Sequence, residues 1–378
     1  MSRPLPPEIL GLIIDHLHDN QATLRVCCLV SKSWVPWVRG HLFVRIEFCT
    51  VDRPFQLWSK AFPEPDNSPA HHTRSLSIRR LHASTLEDSD ASRGIRAFHR
   101  LETLDIRTMG LYDRHVSFVP FHGLSPALRS LTLSYTLTSL SRVFNLICSF
   151  PLLEDLSLTS VSEGDTDGWD TPLTSPIFTG SLHLEVAYGV WSTVRLLCGL
   201  PGGLHFSKVA VACHSDGDVK STAGLVLRCS DTLQSLDICY HYPSALLFLL
   251  SLAGVLTLPI HTAASATNFF DLSKTTKLKD LVFRCESTRI GWIHTALQTV
   301  KSENLRQIAI HIGSPSLGSL VWDTVNEEWR DFDQLLVQFW TSHSIRPKVV
   351  FVANYMGNRL RRMLPELTRR GLVDLVGR

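Results

Sequence analysis

Leu101-Glu102-Thr103-Leu104-Asp105-Ile106 and Leu128-Arg129-Ser130-Leu131-Thr132-Leu133 are two copies of one phrase: an apolar residue, two variable ones, then apolar, variable, apolar. The closing residues alternate with period two, as a strand with one buried face does. The phrase returns at Leu153, Leu156 and Leu158, at Leu233, Leu236 and Ile238, at Leu278, Leu281 and Phe283, and at Leu305, Ile308 and Ile310. Weaker copies centre on Leu76, Leu182 and Val209. The middle positions 76, 104, 131, 156, 182, 209 and 236 are spaced by about 25–28 residues, the period of a repeat made of one strand and one helix or loop. The step from 281 to 308 is the same.

Helix-like stretches fill the intervals: Leu140–Phe150, Ser192–Leu200, Ser221–Cys229, Trp292–Val300 and Phe332–Trp340. Strand alternating with helix at constant period predicts a parallel α/β solenoid with its helices outside. Two intervals are too long for one repeat. Between 236 and 281, Leu256-Thr257-Leu258 is a candidate extra strand; after 308 the last candidate strand is Val349-Val350-Phe351.

Within each strand the residues between the apolar ones face away from the core. That side carries Asp105, Arg107, Thr132, Asp155, Ser157, Asp237, Arg284 and His311, the candidate residues for holding a protein substrate. The plainer reading is a solvated sheet face. Either way, the charged members are expected to add little to the fold.

Upstream lies a different pattern. After Leu5-Pro6-Pro7-Glu8, apolar residues recur at Ile9, Leu10, Ile13, Ile14 and Leu17, one face of a helix opened by prolines. A second short helix carries Leu24, Cys27, Cys28 and Leu29, and a third begins near Ser31 or Ser33 and carries Trp34, Trp37 and Val38. Helices this short cannot bury all that apolar surface by themselves, so the rest of the chain or another protein must cover it.

This block resembles the F-box, most closely the fungal F-box family. The matching residues are Leu5-Pro6-x-Glu8-Ile9-Leu10, the Ile13/Ile14/Leu17 face, Leu24-Arg25-x-Cys27-Cys28-Leu29-Val30-Ser31-Lys32-Ser33-Trp34, and the trailing Val38-Arg39-x-His41-Leu42-Phe43. The resemblance implies docking on a Skp-type adaptor and, through it, on the cullin scaffold of a ubiquitin ligase. Leu5, Pro6, Ile9, Leu10, Ile13, Leu24, Cys28, Leu29, Val30 and Trp34 are the residues it assigns to that contact. The bland alternative is a helical cap on the end of the solenoid.

The repeats in turn resemble leucine-rich repeats, which commonly place Asn or Cys at the ninth position of the phrase. Here that position holds Met109, Thr136, Val161, His241, Glu286 and Gly313, so the turns must be satisfied otherwise.

The expected architecture is therefore α/β: a small three-helix F-box over 1–50, a connecting segment over 51–75, a leucine-rich-repeat-like parallel solenoid or horseshoe over 76–355, and a C-terminal helical cap over 356–378. The expected function is non-catalytic, a substrate receptor of an SCF-type ligase. A non-degradative F-box scaffold is the alternative.

Composition bounds the other classes. With 44% hydrophobic and 19% charged residues the chain is a core former, and a formal net charge of +2 asks for neither nucleic acid nor an anionic membrane as partner. The cysteines are odd in number and lack CxxC spacing, which predicts reduced, mostly buried thiols in an intracellular protein, cytoplasmic or nuclear. Prolines and Glu8 stand where a signal peptide needs a basic cap and an apolar run. The longest apolar stretch, Ala245 to Thr257, is about 13 residues where a bilayer takes about 20.

No cofactor and no metal are expected. Asp165-x-Asp167-Gly168-x-Asp170 lacks the glycine and glutamate of a calcium loop at the required positions, and His16, His18 and His71-His72 have no partners at zinc spacing. Arg359–Arg370 is a basic amphipathic stretch split by Pro365, which reads as a capping helix or as an anion-binding or nuclear-import segment.

Overall fold

Short parallel strands, laid side by side in chain order within each of two units, organise the structure, a computed structural model that describes residues 6–49, 54–64, 67–81, 89–108, 118–134, 139–160, 175–185, 190–240, 270–285, 290–312, 326–342, 346–353 and 357–376. Contacts divide the chain into two units, Met1–Leu153 with Val161–Pro176, and Glu154–Ser160 with Ile177–Arg378.

The first unit opens with helices α1 (Pro7–His16), α2 (Gln21–Val30) and α3 (Val35–Leu42). Pro7 stands in the first turn of α1, where its missing N–H costs nothing. The Asn20 side chain accepts from the Thr23 N–H at 3.0 Å and so caps α2. Neither Ser31 nor Ser33 caps α3, contrary to expectation. Their hydroxyls bond each other at 2.9 Å, and α3 starts from Trp34 without a side-chain cap. Leu10, Ile14, Leu24, Cys27 and Val38 form the core of these helices, with Leu17, Cys28, Trp34 and Leu42 packed against it. A Cβ at Gly11 would lie 3.3 Å from the Trp37 ring, so a glycine there lets α3 approach α1 closely.

Next come β1 (Arg45–Phe48), α4 (Pro54–Ala61), β2 (Ser75–Leu81), α5 (Ser89–Arg96), β3 (Thr103–Thr108), β4 (Ser130–Ser134) and α6 (Leu140–Cys148). The strands pair parallel in sequence order. Leu76 lies opposite Leu104, and Leu104 opposite Leu131; Ile78, Ile106 and Leu133 form the second inner row. At the β1 end, Phe55 of α4 meets Phe48, Phe98 and Phe121 edge-on, with ring centroids 5.5, 6.2 and 6.2 Å away.

The second unit contains β5 (Asp155–Thr159), β6 (Ser181–Glu185), α7 (Val190–Cys198), β7 (Lys208–Cys213), α8 (Asp216–Arg228), β8 (Ser235–Tyr240), β9 (Asp280–Cys285), α9 (Gly291–Thr299), β10 (Gln307–Ile312), α10 (Asn326–Ser342), β11 (Lys348–Ala353), α11 (Gly357–Met363), α12 (Pro365–Arg369) and β12 (Val373–Val376). All its described strand pairs are parallel. One buried row runs through Leu156, Leu182, Val209, Leu236, Leu281, Ile308 and Val349. The long interval between 236 and 281 is thus one register step, because β8 pairs directly with β9. The candidate strand Leu256–Leu258 lies outside the described residues, as do all six ninth-position residues from Met109 to Gly313.

The sheet already begins at Arg45, because Ile46 and Phe48 extend the inner rows of Leu76 and Ile78. The segment 51–75 contributes helix α4, and the C-terminal segment contributes β12, paired with β11, besides its helices.

Strands β2–β4 and β7–β10 also enter the sheet in the same way. The Arg74 carbonyl accepts the N–H groups of Glu102 and Thr103, and that of Glu102 accepts those of Arg129 and Ser130. In the second unit Gly180, Ser207, Gln234 and Lys279 play the same part for the residue pairs starting at Ser207, Gln234, Lys279 and Arg306. Hydroxyls satisfy further carbonyls from one repeat to the next: Ser125 donates to Leu101 O at 2.8 Å, Thr232 to Phe206 O at 3.1 Å and Ser302 to Leu278 O at 2.7 Å.

Truncating an inner position leaves a cavity between repeats. Leu131→Ala and Leu236→Ala should each lower the unfolding free energy by about 2–5 kcal/mol in urea titrations. A loss below about 1 kcal/mol at both would reject the stacked core.

Candidate functional site

The three-helix part turns one set of apolar residues inward and another outward. Leu10 and Ile14, one turn apart on α1, point into the core, while Ile9, Leu12 and Ile13 are exposed. On α2, Leu24 and Cys27 are buried while Val26, Leu29 and Val30 are exposed, Leu29 at 86%. Trp37 of α3 is exposed as well. Of the expected adaptor residues, Pro6, Ile9, Ile13, Leu29 and Val30 lie at the surface, and Cys28 and Trp34 are half-buried. Leu10 and Leu24 instead fill the helices' own core, and Leu5 lies outside the described residues. Leu12, Val26 and Trp37 were missed. The spacings 9–12–13 and 26–29–30, each a second apolar stripe on an already amphipathic helix, would have found the first two.

The open face of the sheet gathers the other candidates by unit. In the first, Asp105 lies in register with Thr132 and Ser77. The Arg107 Nε and Nη2 donate to Asp105 at 3.1–3.3 Å, and Ser77 Oγ donates to the same carboxylate at 3.2 Å. Arg79, in register with Arg107, pairs with Glu47. Ser77 and Arg79, which the weak copy at Leu76 locates, and Glu47 of β1 are absent from the sequence-based set.

In the second unit, Arg284 clasps Asp237 with both Nε, at 2.9 Å to Oδ1, and Nη2, at 2.7 Å to Oδ2. That hydrogen bonding raises the guanidinium pKa further. His311 is in register with Arg284, and Ser157 with His183. The face is less polar than expected, since Ala210, Val282, Ala309 and Val350 occupy the same register row as Asp237.

Asp155 is engaged by the start of the next strand. Its Oδ1 accepts the Ser181 N–H at 2.7 Å and the Ser181 hydroxyl at 2.6 Å, and a Cβ at Gly180 would overlap it. The carboxylate therefore secures the entry of β6 where a second backbone N–H would otherwise need an acceptor, and so belongs to the fold.

Chemical reactivity finds little support at the thiols. Burial pushes Cys148 up to about 11 and Cys213, Cys229 and Cys285 each up to about 12, which keeps them protonated at neutral pH. No disulfide joins any of the nine cysteines, and each is buried or half-buried. Among the described residues no group of three or more His, Cys, Asp or Glu side chains could hold a metal ion. The acidic loop Asp165–Asp170 lies outside those residues. Among the described helices none is long and apolar enough to cross a membrane.

Removing Asp155 leaves a buried-side N–H and hydroxyl without their acceptor, whereas Asp237–Arg284 is a half-exposed pair. Asp155→Ala should cost about 1–3 kcal/mol in urea unfolding, and Arg284→Ala less than about 1 kcal/mol. The opposite ranking would return Asp155 to the open face.

No family model and no curated protein matches the chain, so the two surfaces described above are what any functional reading must stand on.

Proposed function

We propose that the protein is a non-catalytic substrate receptor: α1–α3 dock on a Skp-type adaptor of a cullin-based ubiquitin ligase, and the open sheet face holds a protein substrate. The observation that carries this reading is the outward apolar set on α1 and α2, Ile9, Leu12, Ile13, Val26, Leu29 and Val30. A short helical unit with its own core filled and a second apolar surface in water is suited to completion by a helical partner. The F-box resemblance, which includes Ile9, Ile13, Leu29 and Val30 of this set, names the kind of partner. The scaffold alternative shares this contact and differs only in the fate of the bound protein.

Central apolar anchors cost about 2–4 kcal/mol on truncation, which is about 30- to 1,000-fold in affinity. An Ile9→Ala, Leu29→Ala variant should lose adaptor co-precipitation by that order while its thermal midpoint is unchanged, because both side chains are exposed. Undiminished co-precipitation would overturn the assignment. Proteasome inhibition then separates the two fates: a co-purifying protein that accumulates marks a receptor, and one that does not marks a scaffold.

A further inference from the structure

The turn that leads into β2 gathers basic side chains that no acid neutralises. Residues Pro69–His72 form a short 3-10 helix, against which α3 packs. Its start is anchored: Ser68, Pro69 and Ala70 are buried, and Ser68 Oγ accepts the Trp58 indole N–H at 3.0 Å and the Ala70 N–H at 3.3 Å. His71 Nδ1–H donates to the Ser68 carbonyl, which leaves its Nε2 for another partner. The His71 and His72 rings lie side by side, with centroids 3.9 Å apart. Space is open beside His72, since a Cβ built at Gly40 of α3 would meet only His72 Nδ1, at 4.0 Å.

Arg39 of α3 and Arg100, from the turn before β3, are exposed. Among the described residues no carboxylate pairs with Arg39, Arg100, His71 or His72. By contrast Arg74, Arg79 and Arg107 of the same unit each hold one. Burial, then His71, Arg100 and Arg39, hold the His72 imidazole below its ordinary pKa. The charged groups that bear on this ring from its own turn, from α3 and from the approach to β3 are thus all basic. Such a cluster repels itself until an anion joins it. A phosphate monoester brings a charge of about −1.5 to −2 and three acceptor oxygens, enough for two guanidinium forks and an imidazole together. A carboxylate brings a single charge and fewer acceptors.

We propose that Arg39, Arg100, His71 and His72 bind a phosphate group, free or carried as a monoester. None of these side chains belongs to the outward apolar set of α1 and α2 or to the open sheet face, so the site stands or falls independently of the receptor reading. Binding draws a proton onto the imidazoles, because the dianion raises the pKa that the basic neighbours hold down. Affinity therefore falls as pH rises through the bound-state value.

Isothermal titration calorimetry of the full chain tests this with inorganic phosphate, phenyl phosphate and acetate at matched ionic strength. Phenyl phosphate should bind with uptake of protons from the buffer, and more weakly as pH rises from about 7 to about 8.5, a range in which the monoester stays dianionic. Arg39→Gln, Arg100→Gln should weaken binding about tenfold or more, with the thermal midpoint unchanged because both side chains are exposed. His71→Gln, His72→Gln should abolish the proton uptake and flatten the pH profile, which a merely structural role would not do. Should that variant lose its thermal transition, His72→Gln, which keeps the His71–Ser68 bond, must still reduce the uptake. Lys60→Gln, Lys301→Gln removes as much charge elsewhere and should leave the affinity within about twofold. Binding of inorganic phosphate with phenyl phosphate excluded identifies the free anion as the ligand; binding of both identifies a site open to monoesters. The site is refuted if neither binds at millimolar concentration, if acetate binds as tightly, or if the lysine control weakens binding as much as the arginine variant. Arginine or histidine variants that behave like the parent refute it too. So does tighter binding of single-stranded RNA that the arginine variant abolishes, since the cluster would then read phosphodiesters.

Discussion

The inner apolar rows, Leu76–Leu104–Leu131 in the first unit and Leu156 through Val349 in the second, are the constraint to which the remaining features answer. A parallel strand has no hairpin partner, and a single repeat cannot bury its own apolar side; each must borrow that cover from the next. The recurring two-donor carbonyl at the start of the strands fixes the register, and register decides which side chains are inside. Once it is fixed, the intervening positions fall on the open face without further choice. That is why Asp105, Thr132, Asp237 and His311, scattered along the sequence, come to lie in a few rows.

The same constraint explains where the chain ends its helical part and begins its sheet. Ile46 and Phe48 follow α3 immediately and already occupy the inner rows, so no linker separates the three-helix part from β1. The helices keep a core of their own, centred on Leu10, Leu24 and Val38, and still leave apolar stripes outside it. Stability and the proposed docking thus draw on different faces of the same short helices.

Much of the architecture was legible because the apolar phrase is a local signal with a fixed period. Even the weak copies at Leu182 and Val209 proved to be strands. What was not legible depended on partners far off in sequence. Asp155 reads as one more exposed charge until Ser181 and Gly180 are placed beside it. Leu10 and Leu24 match the adaptor signature as well as Ile9 and Leu29 do, and only helix orientation tells core from surface. The serines before α3 looked like caps but satisfied each other instead.

The central claim is that the outward apolar stripes of α1 and α2 are a docking surface, while the sheet is free to hold something else. Amide hydrogen exchange of the full chain, with and without a Skp-type adaptor, tests it most directly. The account predicts slowed exchange confined to peptides from α1 and α2, with the strands β7–β10 unchanged. Protection that falls on those strands while α1 and α2 exchange as before would contradict it.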